Sequence, residues 1–209
     1  WRALPVADRA VVVGRGIDAF VAMKDRVAKE ITLQMGRPIR DTPREVDGFA
    51  ACARHMIRIA EDALADLTPA PRVGFTRREP LGIVLAVTPW SYPLLTAVNG
   101  VVAALMAGNA VILKPSAQTP MAGERIAEAL AGAGLPAGLL QCVHTDHEGM
   151  QALVASEFVD GVCFTGSAAT GAAIERAAAG RFIPVGLALG GNDPAYVRAD
   201  ARLDAAVEA

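Results

Sequence analysis

Glycine, serine and lysine fall in this chain where they could hold an anion. The segment FTGSAATG (164–171) sets Ser167 between Gly166 and Gly171, after a short apolar run (Val162–Phe164) and before a helical stretch at about 168–179. Backbone N–H groups and a hydroxyl then converge at a helix N-terminus, which suits a phosphate; a plain tight turn is the alternative for this segment taken alone. Lys114 opens KPSAQTP (114–120) directly after another apolar run, Ala110–Leu113. It brings a cation to where ribose or phosphate oxygens would lie, and an ordinary solvated lysine is the blander reading. Pro89 and Trp90 in TPWSYP (88–93) offer an apolar wall for a flat ring, although a Trp between prolines also serves as packing.

Thiol and metal chemistry find less support. The cysteines, Cys52, Cys142 and Cys163, are three in number, far apart and without CxxC spacing, against a disulfide framework or a zinc site. Cys142 and Cys163 lie in apolar runs and Cys52 on an Ala-rich helical stretch, so inert buried thiols are expected. His55, His144 and His147 form no recognisable ligand set in the sequence, and no metal is assigned. His144 and His147, in HTDHEG (144–149), do fall at a strand end, where they could meet a phosphate.

These turns need elements to position them. From Leu81 onward, apolar strands at Ile83–Val87, Ala110–Leu113, Leu139–Val143, Val162–Phe164 and Val185–Leu189 alternate with helical stretches at about 93–106, 120–132, 148–155 and 168–179. Strands with largely apolar interiors, separated by helices, predict an α/β parallel sheet covered on both faces. Ligands in such sheets bind beyond the carboxyl ends of the strands, where the five turns named here lie, the last being LALGGNDP (187–194). The uncharged run Leu81–Leu113 is long enough for a membrane span, but Pro89, Pro93, Asn99, Gly108 and Asn109 divide it into strand, helix and strand.

Upstream, Ile17, Phe20, Val21, Lys24, Val27, Ile31 and Met35 form one helical stripe, with Lys24 as its one polar interruption, that Gly36 and Pro38 stop. A second helix opens at Thr42-Pro43-Arg44-Glu45, with Thr as N-cap and Glu45 completing a capping box, and its stripe runs to Leu67. The Pro-bounded segment 68–80 reads as an arm or edge strand. The expected organisation is a helical segment (1–67) packing on the sheet domain, the arm (68–80) and the sheet domain itself (81–209). Lys plus Arg total 20 against 22 Asp plus Glu, with no run of like charge, so neither nucleic acid nor a membrane surface is an expected partner. Free thiols make a reducing cytoplasm the default compartment. A start at WRALPVADRA, without Met or signal features, leads one to expect a beginning inside a larger gene product.

Taken in order, TPWSYP, KPSAQTP, FTGS and LALGG resemble the PWNFP or PWNYP, KPSE, FTGS and ELGG motifs of the aldehyde dehydrogenase family, and WRALPVADRA and LQMGRPI are family-like too. The resemblance covers essentially the whole chain. It implies a Rossmann-like NAD or NADP domain, with Thr88, Pro89, Trp90, Lys114, Ser116, Ala117, Gly166, Ser167, Leu189 and Gly190 at the cofactor. The family reaction oxidises an aldehyde to a carboxylic acid through a Cys nucleophile, an oxyanion hole and a base. This chain departs from that set at several points. Only 21 residues follow Ala188, none of them Cys; Ser91 stands for the oxyanion Asn, Ala188 for the general-base Glu and Ala117 for the ribose-binding Glu. HTDHEG also lacks glycines common there in the family. The expectation is a fragment or degenerate member, inactive alone, associating with copies of itself through exposed apolar surface. A non-catalytic nucleotide-binding or subunit-interaction module is the alternative. An acylating reductase would explain a lost base but still requires the nucleophile.

Overall fold

The computed structural model describes residues 1–67, 74–191 and 193–208. Its helices are α1 (Val6–Ala22), α2 (Lys24–Met35), α3 (Thr42–Leu64), α4 (Pro93–Met106), α5 (Pro120–Gly132), α6 (His147–Ala155), α7 (Ala168–Ala178) and α8 (Leu203–Glu208). The strands are β1 (Ile83–Val87), β2 (Ala110–Lys114), β3 (Leu140–Cys142), β4 (Gly161–Gly166) and β5 (Val185–Leu189). All five pair in parallel in the order β3-β2-β1-β4-β5. Strands β2 and β3 build outward from β1 on one side. The chain then returns through α6 and lays β4 against the other side of β1, so the winding reverses between β1 and β4. This is the doubly wound, Rossmann-like arrangement, and the reversal opens a crevice at the carboxyl ends of those two strands.

Alternate residues of β1 serve opposite faces, as the two-residue strand period requires. Val84 and Ala86 join one core with α1, α3, α4 and α5, whereas Leu85 and Val87 join a second with Met150, Val154, Phe164 and Ile174. The helix α4 lies inside the first core, with Leu94, Val98, Val101, Val102 and Leu105 fully buried. It is the apolar helix of the long uncharged run, and its 14 residues fall short of a bilayer. Among the described residues no helix is long and apolar enough to cross a membrane.

The N-terminal stripe is divided differently from the sequence expectation. One helix ends at Ala22 and the next begins at Lys24, with Met23 between them at φ −91°, ψ 10°. The bend keeps both apolar faces turned inward, so Ile17 and Phe20 before it and Val27 and Ile31 after it share one core, and the stripe looked continuous. At α3 the helix stops at Leu64, and Leu67 instead forms an isolated antiparallel bridge with Thr76. Asp41, not Thr42, occupies the N-cap position. Of the expected arm, 68–73 lie outside the described residues, and 74–80 add no strand beyond that bridge.

Candidate functional site

A cleft of about 490 Å³ opens at the winding reversal. Thr88, Pro89, Trp90 and Ser91 line it from the turn after β1, Lys114 and Ser116 from the end of β2, Gly166 and Ser167 from the end of β4, and Gly190 from the end of β5. Its size is ordinary for a small-molecule site. On the β4 side the sequence keeps the backbone accessible. A Cβ at Gly166 would come within 2.6 Å of Phe164 Cζ, and one at Gly171 within 2.5 Å of Leu189 Cδ2, so Gly171 serves the packing of α7 on β5. Ser167 caps α7, its hydroxyl accepting from the Thr170 amide at 3.2 Å, and the positive end of the helix faces the cleft.

Lys114 is buried rather than solvated, with 8% of its surface exposed. Burial pushes its ammonium below the ordinary lysine range, and the charge of Asp146 opposes that only in part. A buried cation that lacks full compensation gains from an anionic ligand.

The turn after β1 is held from an unexpected direction. The Glu45 carboxylate does not complete a capping box in its own helix; Oε1 accepts from the amides of Leu94 at 2.9 Å and Leu95 at 3.4 Å, in the first turn of α4. Its other oxygen accepts from Arg37, whose guanidinium also donates to the Ser91 carbonyl and lies 4.4 Å from the Tyr92 ring centroid. Glu45 was expected to act locally because only its spacing from Thr42 is visible in the sequence. Its true partners are about fifty residues away.

Three of the residues assigned by resemblance lie elsewhere. Ala117 is exposed outside the cleft lining. Leu189 packs toward Gly171. Ala188 lines a separate groove of about 310 Å³, with Cys163, Gly186, Thr96 and Asn99. Cys163 is exposed there, contrary to its expected burial, because on β4 it alternates with the inward Val162 and Phe164; Cys52 is exposed as well. In turn, the cleft includes Thr165, Thr170, His147 and Met150, which the sequence did not single out as a group. His147 alone had a signal, its place at a strand end.

The sequence offers no ligand set for the histidines, and the structure brings one of them, His144, beside a cysteine and a carboxylate. Glu124 on α5, Cys142 at the end of β3 and His144 just beyond it gather with one donor atom from each all within 4.8 Å of one another. Glu124 comes from an earlier helix, which the local sequence around the cysteine conceals. Burial, then the charge and hydrogen bonding of Glu124, push the Cys142 thiol up to about 12.

A doubly wound parallel sheet with its cleft at the winding reversal defines a Rossmann-like α/β protein. The match to the aldehyde dehydrogenase family runs over residues 1–209, and the chain belongs to that family. It is similar to the 3,6-anhydro-alpha-L-galactose dehydrogenase of Streptomyces coelicolor, with 38% identity over 96% of this chain and 42% of that protein. Among solved structures it is similar to PnpE in complex with nicotinamide adenine dinucleotide, with a TM-score of 0.91 and 32% identity, covering 100% of this chain and 44% of that one. A succinic semialdehyde dehydrogenase from Streptococcus pyogenes in complex with NADP+ gives a TM-score of 0.89 at 26% identity, over 98% and 46%. The chain thus spans less than half the length of these relatives.

Proposed function

We propose that this chain is the nicotinamide-dinucleotide-binding portion of an aldehyde dehydrogenase and that alone it does not oxidise aldehydes. The observation that carries the reading is the cleft at the winding reversal, where buried Lys114 faces the Ser167-capped N-terminus of α7. The residues present fit a dinucleotide: the first turn of α7 and Gly166 would receive phosphate, Lys114 a ribose or phosphate oxygen, and Pro89 and Trp90 the nicotinamide. When bound, the nicotinamide would accept hydride from the substrate. The chain's own part is to orient that ring and to neutralise charge.

What the chain lacks supports inactivity on its own. Ala188, at the position of the family's general base, presents a methyl group to its groove, and Ser91 replaces a longer amide donor. Losing one such donor costs roughly a hundredfold or more. The same substitutions favour the second reading, a nucleotide-binding or subunit-interaction module without catalysis. The division into a helical segment (1–67), an arm (68–80) and the cofactor domain (81–209) and a cytoplasmic location belong to this proposal. The location rests on the free thiols. Calorimetric titration of NAD and NADP, with an aldehyde panel assayed in parallel, tests the reading. Binding that Lys114→Ala weakens, without reduced cofactor from any aldehyde, is expected; cofactor reduction abolished by Lys114→Ala would overturn the inactivity.

A further inference from the structure

We propose that Glu124, Cys142 and His144 form a site for a borderline divalent transition-metal ion of the zinc type, outside the dinucleotide cleft. Thiolate, imidazole and carboxylate are the donors such ions prefer, and three protein ligands leave a fourth position open to solvent. The donors already converge. His144 Nε2 lies 2.6 Å from Glu124 Oε1 and 3.9 Å from Cys142 Sγ. Ligand atoms around tetrahedral zinc are separated by about 3.3–3.6 Å, so an entering ion would part the first pair and draw in the second. The Glu124 and His144 side chains are 42% and 45% exposed, which gives them room to turn and the ion a way in. Cys142 is more fixed.

Its seat is built by the neighbouring helix. A Cβ on residue 123 would come within 2.7 Å of Cys142 Sγ, so Gly123 leaves the space in which the sulfur lies beside Glu124. Binding converts the Cys142 thiol to a metal-bound thiolate, its proton passing to solvent, while His144 coordinates through an imidazole nitrogen and Glu124 through a carboxylate oxygen. The ion would tie β3 to α5. Strand β3 has three residues and pairs only with β2 among the described strands, so this is the sheet edge with the fewest hydrogen bonds to hold it.

The test is Co(II) titration of the chelator-treated chain, because a cobalt–thiolate bond gives a charge-transfer absorption that aqueous or carboxylate-bound cobalt lacks. In a Cys52→Ser/Cys163→Ser background, about one Co(II) per chain should bind with that band, and zinc should displace it. Glu124→Gln and His144→Ala, both at exposed side chains, should each weaken binding by about tenfold or more, and Cys142→Ser should abolish the band. Absence of the band in the double-serine background would overturn the proposal. So would a band that Glu124→Gln and His144→Ala leave unchanged in affinity and shape.

Discussion

Lys114 is the residue on which the cleft's electrostatics turn. Because burial already lowers its proton affinity, the free chain should lose this charge at a pH below the ordinary lysine range. An anionic ligand binds the protonated form, so dinucleotide affinity should be full well below that lowered value and fall as pH rises through it. Lys114→Arg should remove the inflection by keeping the charge, and Lys114→Met should remove it by abolishing the charge at every pH; calorimetry across an alkaline series distinguishes the two. Under the proposed function, selectivity turns on position 117, which lies outside the cleft lining but next to Ser116, a lining residue. With no carboxylate to favour a free 2′-hydroxyl or repel a 2′-phosphate, NAD and NADP should bind comparably, and Ala117→Glu should shift preference toward NAD by roughly 1.5–3 kcal/mol at most. Strong NAD binding with rejection of NADP by the wild-type chain would contradict this. Lys114 and Ser167 were legible in the sequence because strand and helix boundaries place them directly. The Glu124, Cys142 and His144 trio was not, because a sequence window around the cysteine holds no record of a glutamate supplied by the preceding helix.

At the scale of elements, Glu45 is the most consequential buried group. Its side chain is 2% exposed and serves Arg37 and the first turn of α4 together. Glu45→Ala would strand the Arg37 guanidinium and uncap both amides, at a cost of about 3–5 kcal/mol, whereas Glu45→Gln, which keeps an acceptor, should cost less. At roughly 2–4 °C per kcal/mol for a chain of this size, thermal melts should separate the two variants clearly. Phe182 makes the opposite case. It holds φ +57° with its side chain almost fully exposed, between α7 and β5. Phe182→Asn, which tolerates the left-handed region, should stabilise by about 1 kcal/mol. A lower melting temperature would show that the ring makes contacts which outweigh the strain. The strands were legible to within a residue or two from apolar runs and turn residues. The break at Met23 was not, because a bend between two inward-facing helices leaves the apolar spacing intact.

For the molecule as a whole, the strands could be read from the sequence but their order could not. Nothing local says that β4 returns to the side of β1 opposite β2, and that return is what creates the cleft. Surface composition carries the other expectation at this scale. Trp90, Tyr92, Leu189, Tyr196, Val197 and Leu203 are all exposed, and most of them lie toward the cleft or the C-terminal segment. Apolar surface of this kind favours association, so size-exclusion chromatography with light scattering should show dimers or larger species that dissociate on dilution. A sharp monomer peak at all concentrations would argue against it.

The clasp of Arg37 and Glu45 on the turn after β1 makes the helical N-terminal segment a listener at the cleft. Trp90 stands in that turn, one residue from the carbonyl that Arg37 holds. If dinucleotide binding steadies the turn, the Leu94 and Leu95 amides should exchange deuterium more slowly, and protection should extend into α3. Linkage is reciprocal, so opening the clasp with Arg37→Met should weaken the dinucleotide by at most the factor by which ligand protects those amides in the unaltered chain. Quenching of Trp90 and retarded exchange would then report a single equilibrium from its two ends.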